Sequence, residues 1–156
     1  SQGVRSKGKD DFHVNWRVKY EPGTVKVVSR KEGKMVAEQE IRTAGKPAQI
    51  RLTPDRTTIQ ADGKDLSFVT VEILDKDGNL CPNVEDEVNF LVEGSGFIAG
   101  VDNGSPVSME KFKANHRKAF YGKCLVVIQN NGHSGSIKLT ATTDGLEKAG
   151  TVLKAK

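Results

Sequence analysis

The feature that most constrains this chain is a side-chain period of two, restarted again and again between turn signals. Val69, Val71 and Ile73 alternate with Thr70, Glu72 and Leu74, and Ile137, Leu139 and Ala141 alternate with Lys138 and Thr140. Such a pattern puts one set of side chains on a core face and the other on the opposite face of a strand. No stretch keeps the 3.6-residue spacing of a helix over several turns. The longest purely aliphatic run, Leu125-Val126-Val127-Ile128, is far short of the roughly 20 residues that span a bilayer. A chain of 156 residues with this pattern is one or two small β domains.

The punctuation divides it. Val14, Trp16, Val18 and Tyr20 alternate with polar neighbours, and Glu21-Pro22-Gly23 then turns the chain. Further strands are expected at Thr24 to Ser29 and at about Met35 to Thr43, joined through Lys31-Glu32-Gly33-Lys34. Ala44-Gly45-Lys46-Pro47 is a breaker sequence. Residues 1–47 are thus read as three strands of a truncated β-sandwich, and residues 48–156 as a complete one. Seven short strands follow the linker, at Ile50–Leu52, Val69–Leu74, Val88–Val92, Phe97–Val101, Ala119–Gln129, Ile137–Ala141 and Ala149–Lys154. Turn signals every 8–12 residues or so suggest an immunoglobulin-like β-sandwich. Asp77-Gly78 signals a hairpin, and residues 102–118 read as a long polar loop. Three strands cover little of their own apolar face. Val14, Trp16, Val18, Val25 and Val27 are therefore expected to pack on residues 48–156 or on a second copy.

Charge narrows the function. Residues 1–47 hold eleven Lys/Arg and six Asp/Glu, a net of +5, and the remainder holds thirteen and fourteen, a net of −1. The basic side chains of Arg5, Lys7 and Lys9 sit in a polar leader, while Arg17 and Lys19 alternate with apolar residues. This is a solvated face, not a nucleic-acid footprint with interleaved aromatics. His13, His116 and His133 have no His or Cys at metal-ligand spacing, so no metal is expected. Asp75-Lys76-Asp77-Gly78-Asn79 opens like a calcium loop, but its Gly stands fourth instead of sixth and Asp86 holds the twelfth place, so a turn is the better reading. Two cysteines are too few for a disulfide scaffold. Cys81 precedes Pro82 in a loop, and Cys124 opens an apolar strand as a small buried hydrophobe. A single bridge between them is an open alternative. No catalytic group and no cofactor motif is readable. Sugar contact needs exposed aromatics, which nominates Trp16, Tyr20 and Tyr121. The densest polar stretch, Gly100 to Pro106, adds Asp102 and Asn103, either as turn residues or as a contact for a glycan or another domain.

Several of these segments resemble one family. Asn15-Trp16-Arg17-Val18-Lys19-Tyr20-Glu21-Pro22-Gly23-Thr24-Val25-Lys26 is similar to a segment near the end of many bacterial glycoside hydrolase family 2 proteins, mainly β-galactosidases. Thr43 to Pro47, Leu52 to Arg56, Asp62 to Val71, Val101 to Gly104, Phe112 to Ala114 and Arg117 to Val126 continue the likeness. Lys19 stands where the family often has Pro, and Ser105 where it has Asp. Ser1-Gln2-Gly3 resembles the end of a hairpin whose first strand is missing. The resemblance implies a parent that removes terminal β-linked sugars by a retaining route, with glutamates in a (β/α)8 barrel of about 250 residues. No residue here matches those catalytic motifs. The chain is then a non-catalytic accessory piece, periplasmic or extracellular, whose partners are the barrel and other domains of the parent. A glycan, and a dimer through the truncated sheet, are further partners it leaves open; membrane insertion and nucleic acid are not implied. The other class consistent with this composition is an Ig-like spacer or adhesion module of a bacterial surface protein.

Overall fold

A computed structural model describes residues 3–6 and 12–156. Lys7, Lys9 and the pair Ser1-Gln2 lie outside the described residues. Among the described residues every regular element is a strand. The chain divides between Thr43 and Ala44 into two compact units.

The first unit holds a two-stranded antiparallel ladder, β1 (Thr24–Lys31) and β2 (Lys34–Arg42). The register sets Val25 opposite Ile41 on one face, while Lys26 forms an ion pair with Glu38 on the other. Thr43 closes the open end of the hairpin. Its N–H donates to the Gly23 carbonyl at 2.8 Å, and its Oγ1 accepts from the Gly23 N–H at 3.0 Å. One expectation needs correction. Residues 13–20 form no ladder with any described residue, so the unit has two strands instead of three. Alternation reports which side chains prefer cover; it does not supply the partner strand that makes a ladder. Val14 and Trp16 are half-buried, and Val18, Val25 and Val27 are exposed in the single chain.

The second unit is a sandwich of nine strands: β3 (Pro47–Pro54), β4 (Thr58–Ile59), β5 (Leu66–Asp75), β6 (Glu87–Gly94), β7 (Gly96–Asp102), β8 (His116–Lys118), β9 (Lys123–Asn130), β10 (Gly135–Thr142) and β11 (Ala149–Ala155). One sheet runs β4-β11-β10-β6-β8 and the other β3-β5-β9-β7. All pairs are antiparallel except the short β11–β4 contact. Period-two side chains from the two inner faces meet in one core. Val69, Val71, Ile73, Val126 and Ile128 come from one sheet, and Phe90, Ile137, Leu139, Ala141 and Leu153 from the other. Burying an aliphatic side chain stabilises by about 1.5–3 kcal/mol, so this layer is the main source of stability. On the outer face of the β3-β5-β9-β7 sheet, Glu72 of β5 binds both neighbours, accepting from Arg51 Nη2 of β3 at 2.7 Å and lying 3.0 Å from Lys123 Nζ of β9.

Nine strands replace the expected seven. β4 is a two-residue addition, and β8 lies inside the stretch read as loop. The strand expected from Ala119 begins at Lys123. Asp77-Gly78 turns the chain, but the return pairs only at a Leu74–Leu80 bridge before the chain crosses to β6 in the opposite sheet. Both cysteines are free and buried.

Gly94 and Gly96 flank the passage from β6 to β7, where the chain leaves one sheet for the other. A Cβ on Gly94 would stand 2.1 Å from the Ser136 carbonyl oxygen, and its φ is +96°. Gly94→Ala is therefore expected to destabilise the sandwich by about 2 kcal/mol. Gly145→Ala, also at positive φ but in open space, should cost about 1 kcal/mol. Equal losses in urea denaturation would show that the Ser136 contact is unimportant.

Candidate functional site

The stretch between β7 and β9 is built around one buried cation. Arg117, in the middle of β8, faces Val88 of β6 in the ladder and is 1% exposed. Its guanidinium reaches back under residues 102–112. Nη2 lies 3.3 Å from both Asp102 Oδ1 and Asn103 Oδ1, Nη1 donates to the Glu110 carbonyl at 3.2 Å, and Nε stands 3.7 Å from Glu110 Oε2. The Phe112 ring lies over the guanidinium carbon at 5.4 Å, a cation–π distance. A buried charge is tolerated only when paired and hydrogen-bonded, which is the role of this constellation.

The same polar groups also hold the backbone. Asp102 Oδ1 accepts from the Asn103 and Gly104 amides at 2.7 and 3.2 Å. Asn103 Oδ1 accepts from the Ser105 amide, and its Nδ2 donates to the Lys118 carbonyl at 2.9 Å. Glu110 Oε1 accepts from the Lys118 amide. Asp102 and Asn103, nominated from sequence, are thus brought together as supports of the loop. Arg117, which organises them, went unnoticed. It stands between His116 and Lys118 and reads as part of a basic surface run. The available signal was its place two residues before Ala119, which is also buried.

The aromatic candidates do not join this cluster. Tyr121 is 64% exposed, with its ring centroid 4.4 Å from that of Phe120. It and Gly122 occupy the turn into β9, both at positive φ. A Cβ on Gly122 would meet the Cys81 carbonyl oxygen at 2.3 Å. Tyr121 accepts a conformation that a non-glycine residue adopts at a cost. Tyr20 is exposed and Trp16 half-buried in the other unit. The segment that opens like a calcium loop is a self-contained turn. Asp75 accepts from the Gly45 amide at 2.8 Å, the Asp77 and Asn79 amides at 2.9 and 2.8 Å, and the Asn79 side chain. The Gly45 amide foremost, with the Asn79 side chain next, holds its carboxyl well below the usual carboxylate range. Among the described residues no group of three His, Cys, Asp or Glu side chains is placed to hold a metal ion. Burial raises the Cys81 thiol and pushes Cys124 up to about 12, so neither is a ready nucleophile.

Two surface depressions stand out. One of about 190 Å³ is lined by Asp86, Glu87, Asn89, Thr143 and Asp144. It holds carboxylates but falls below the roughly 300–1,000 Å³ of ligand sites. The other, about 380 Å³, is lined by Phe97, Ile98, Ala99, Lys113, Ala114 and Asn115 and holds none. Neither combines room for a sugar with two facing carboxylates.

Residues 50–152 match the glycoside hydrolase family 2 C-terminal domain 5. The chain belongs to that family. Residues 1–37 match a second profile, a domain of unknown function (DUF4982). The chain is 69% identical over 149 residues to the β-galactosidase BoGH2A of Bacteroides ovatus, covering 96% of this chain and 18% of that protein. Among solved structures, a glycosyl hydrolase family 2 member from Bacteroides cellulosilyticus superimposes with a TM-score of 0.85 at 40% identity, over 90% of this chain and 18% of the other. A β-glycosidase from Bacteroides vulgatus gives 0.86 at 30% identity, over the same shares. The family 2 chain thus spans about one fifth of these relatives and corresponds to a C-terminal region. Its all-β, Ig-like architecture agrees with theirs.

Two outcomes test the supports of this domain. Arg117→Met should cost about 3 kcal/mol in unfolding free energy, because Glu110 and Asp102 lose a common partner. Arg117→Lys should recover little, since one ammonium cannot serve the Asp102, Asn103 and Glu110 acceptors together. For Asp75 the folded-state pKa is depressed, so its contribution is fully present above the unperturbed 3.8 and is lost progressively as pH falls below it. The melting temperature of Asp75→Ala should lie below that of the parent at pH 7, and the gap should narrow steadily below pH 3.8. A gap constant to pH 2.5 would refute the assignment.

Proposed function

We propose that this domain is a non-catalytic accessory part of a family 2 enzyme similar to β-galactosidase. It contributes packing and stability to a parent that removes terminal β-linked sugars by the retaining two-carboxylate route. The observation that carries this reading is the commitment of the polar loop. Asp102 Oδ1, Asn103 and both Glu110 oxygens already serve Arg117, a hydroxyl or backbone amides within the domain. A glycosidase needs two carboxyl groups free to face a sugar, about 5–5.5 Å apart for retention. The parent's reaction belongs to the remaining four fifths of the polypeptide, as judged from the relatives. A periplasmic or extracellular setting fits the same reading and rests on the family alone.

A glycan contact finds less support. Tyr121 is exposed, but Trp16 and Tyr20 belong to the other unit, and the polar groups nominated beside Tyr121 are engaged with Arg117.

The 156-residue chain should give no turnover of an aryl β-galactoside above background. The long enzyme lacking residues 44–156 should show a lower melting temperature, with KM nearly unchanged wherever it stays folded. Turnover by the isolated chain that disappears on neutralising one of its carboxylates would overturn the proposal.

A further inference from the structure

The loop held by Arg117 also presents apolar side chains to solvent, among them the outer part of Phe112, whose ring packs on the guanidinium. Val107 is 81% exposed, Met109 96% and Phe112 64%. These are three apolar side chains within six residues, on a segment of thirteen residues with no ladder of its own. Loops of this length without secondary structure are uncommon in compact domains and are usually functional or disordered. This one is anchored at many points. The Phe112 carbonyl accepts from the Val101 amide at 2.8 Å and the Asn115 carbonyl from the Phe90 amide at 2.7 Å, in addition to the Arg117, Asn103 and Glu110 bonds. Apolar side chains kept in water on an ordered support form a pre-organised contact surface, since ordering them on association then costs little.

The chemistry of this surface selects its occupant. Val107 and Met109 offer no flat aromatic face for a pyranose, the Phe112 ring already packs on the Arg117 guanidinium, and Asp102, Asn103 and Glu110 are engaged within the domain, so a glycan is a poor fit. Lys111 and Lys113 flank Phe112 in the chain, and neither they nor Lys118 at the end of β8 form an ion pair among the described residues. The complement is a protein surface with an apolar centre and an acidic rim. The relatives have more than five times the matched length, so most of such a polypeptide lies outside this segment. We infer that Val107, Met109 and Phe112 dock the C-terminal domain onto the remainder of its own family 2 chain. The inference rests on the accessory-domain reading and names the surface through which that role is exerted.

Methionine oxidation tests it without a mutation. Met109 is compared in the isolated 156-residue chain and in BoGH2A carrying this segment in place of its 69%-identical counterpart. Both are treated with dilute hydrogen peroxide and followed by mass spectrometry. Exposed thioethers oxidise readily. Met109 should oxidise at least tenfold more slowly in the long chain. In a second arm, Met109→Asp in the long chain should speed amide exchange across residues 103–115 while leaving β5 and β9 protected. Turnover of an aryl β-galactoside is recorded on the same long chain. An active long chain in which Met109 oxidises as fast as in the isolated segment overturns the docking surface and leaves the accessory-domain reading intact. Sedimentation of the isolated chain as a dimer that Met109→Asp dissolves would assign the loop to a second copy and also overturn the inference.

Discussion

A buried guanidinium decides the shape of one end of this sandwich. Arg117 cannot be removed from water without several acceptors, and the chain supplies them from two places: Asp102 at the end of β7, and Asn103 and Glu110 in the loop that leads to β8. Satisfying one charge therefore converts a long polar stretch into an ordered one. It also explains β8, a three-residue strand with no intrinsic β preference in His116 or Lys118. The β6 ladder and the guanidinium contacts hold together what neither would hold alone. Replacing the whole cluster by apolar residues of similar volume would come close to breaking even, whereas removing Arg117 alone leaves its acceptors unpaired, so the cluster fixes the shape of the loop more than it adds net stability.

The core was readable because it follows one rule. Val69, Val71, Ile73, Phe90, Val126, Ile128, Leu139 and Ala141 all fall on the inner faces that their alternation indicates. The same rule misled at residues 13–20. A period of two describes a side-chain preference, whereas a strand also needs a hydrogen-bonding neighbour, and none is found among the described residues. It misled again around β8, where the buried residue is a charged one and carries no apolar signal. At the polar loop, sequence marked Asp102 and Asn103 as unusual and left turn and contact roles open. Only the position of Arg117 shows that these side chains face inward to their own loop. Proximity across sheets, unlike alternation along one strand, leaves little trace in a linear pattern.

The family 2 assignment gives these observations a common sense. The carboxylates of the polar loop are engaged within the domain, and burial raises both thiols. A common fold does not by itself fix a function; the residues that it presents do.

The junction between the two units gives a last consequence. Thr43 is tied back to Gly23, and Gly45 is tied to Asp75, so only Ala44 stands between two anchored residues. A peptide chain moves through two soft dihedrals per residue, and sterics confine those of alanine to a few basins. Each unit thus pins its own end of the chain with a backbone amide. Breaker residues are commonly equated with looseness, yet in this chain Gly45 contributes an amide that fastens the first residues of the sandwich to Asp75.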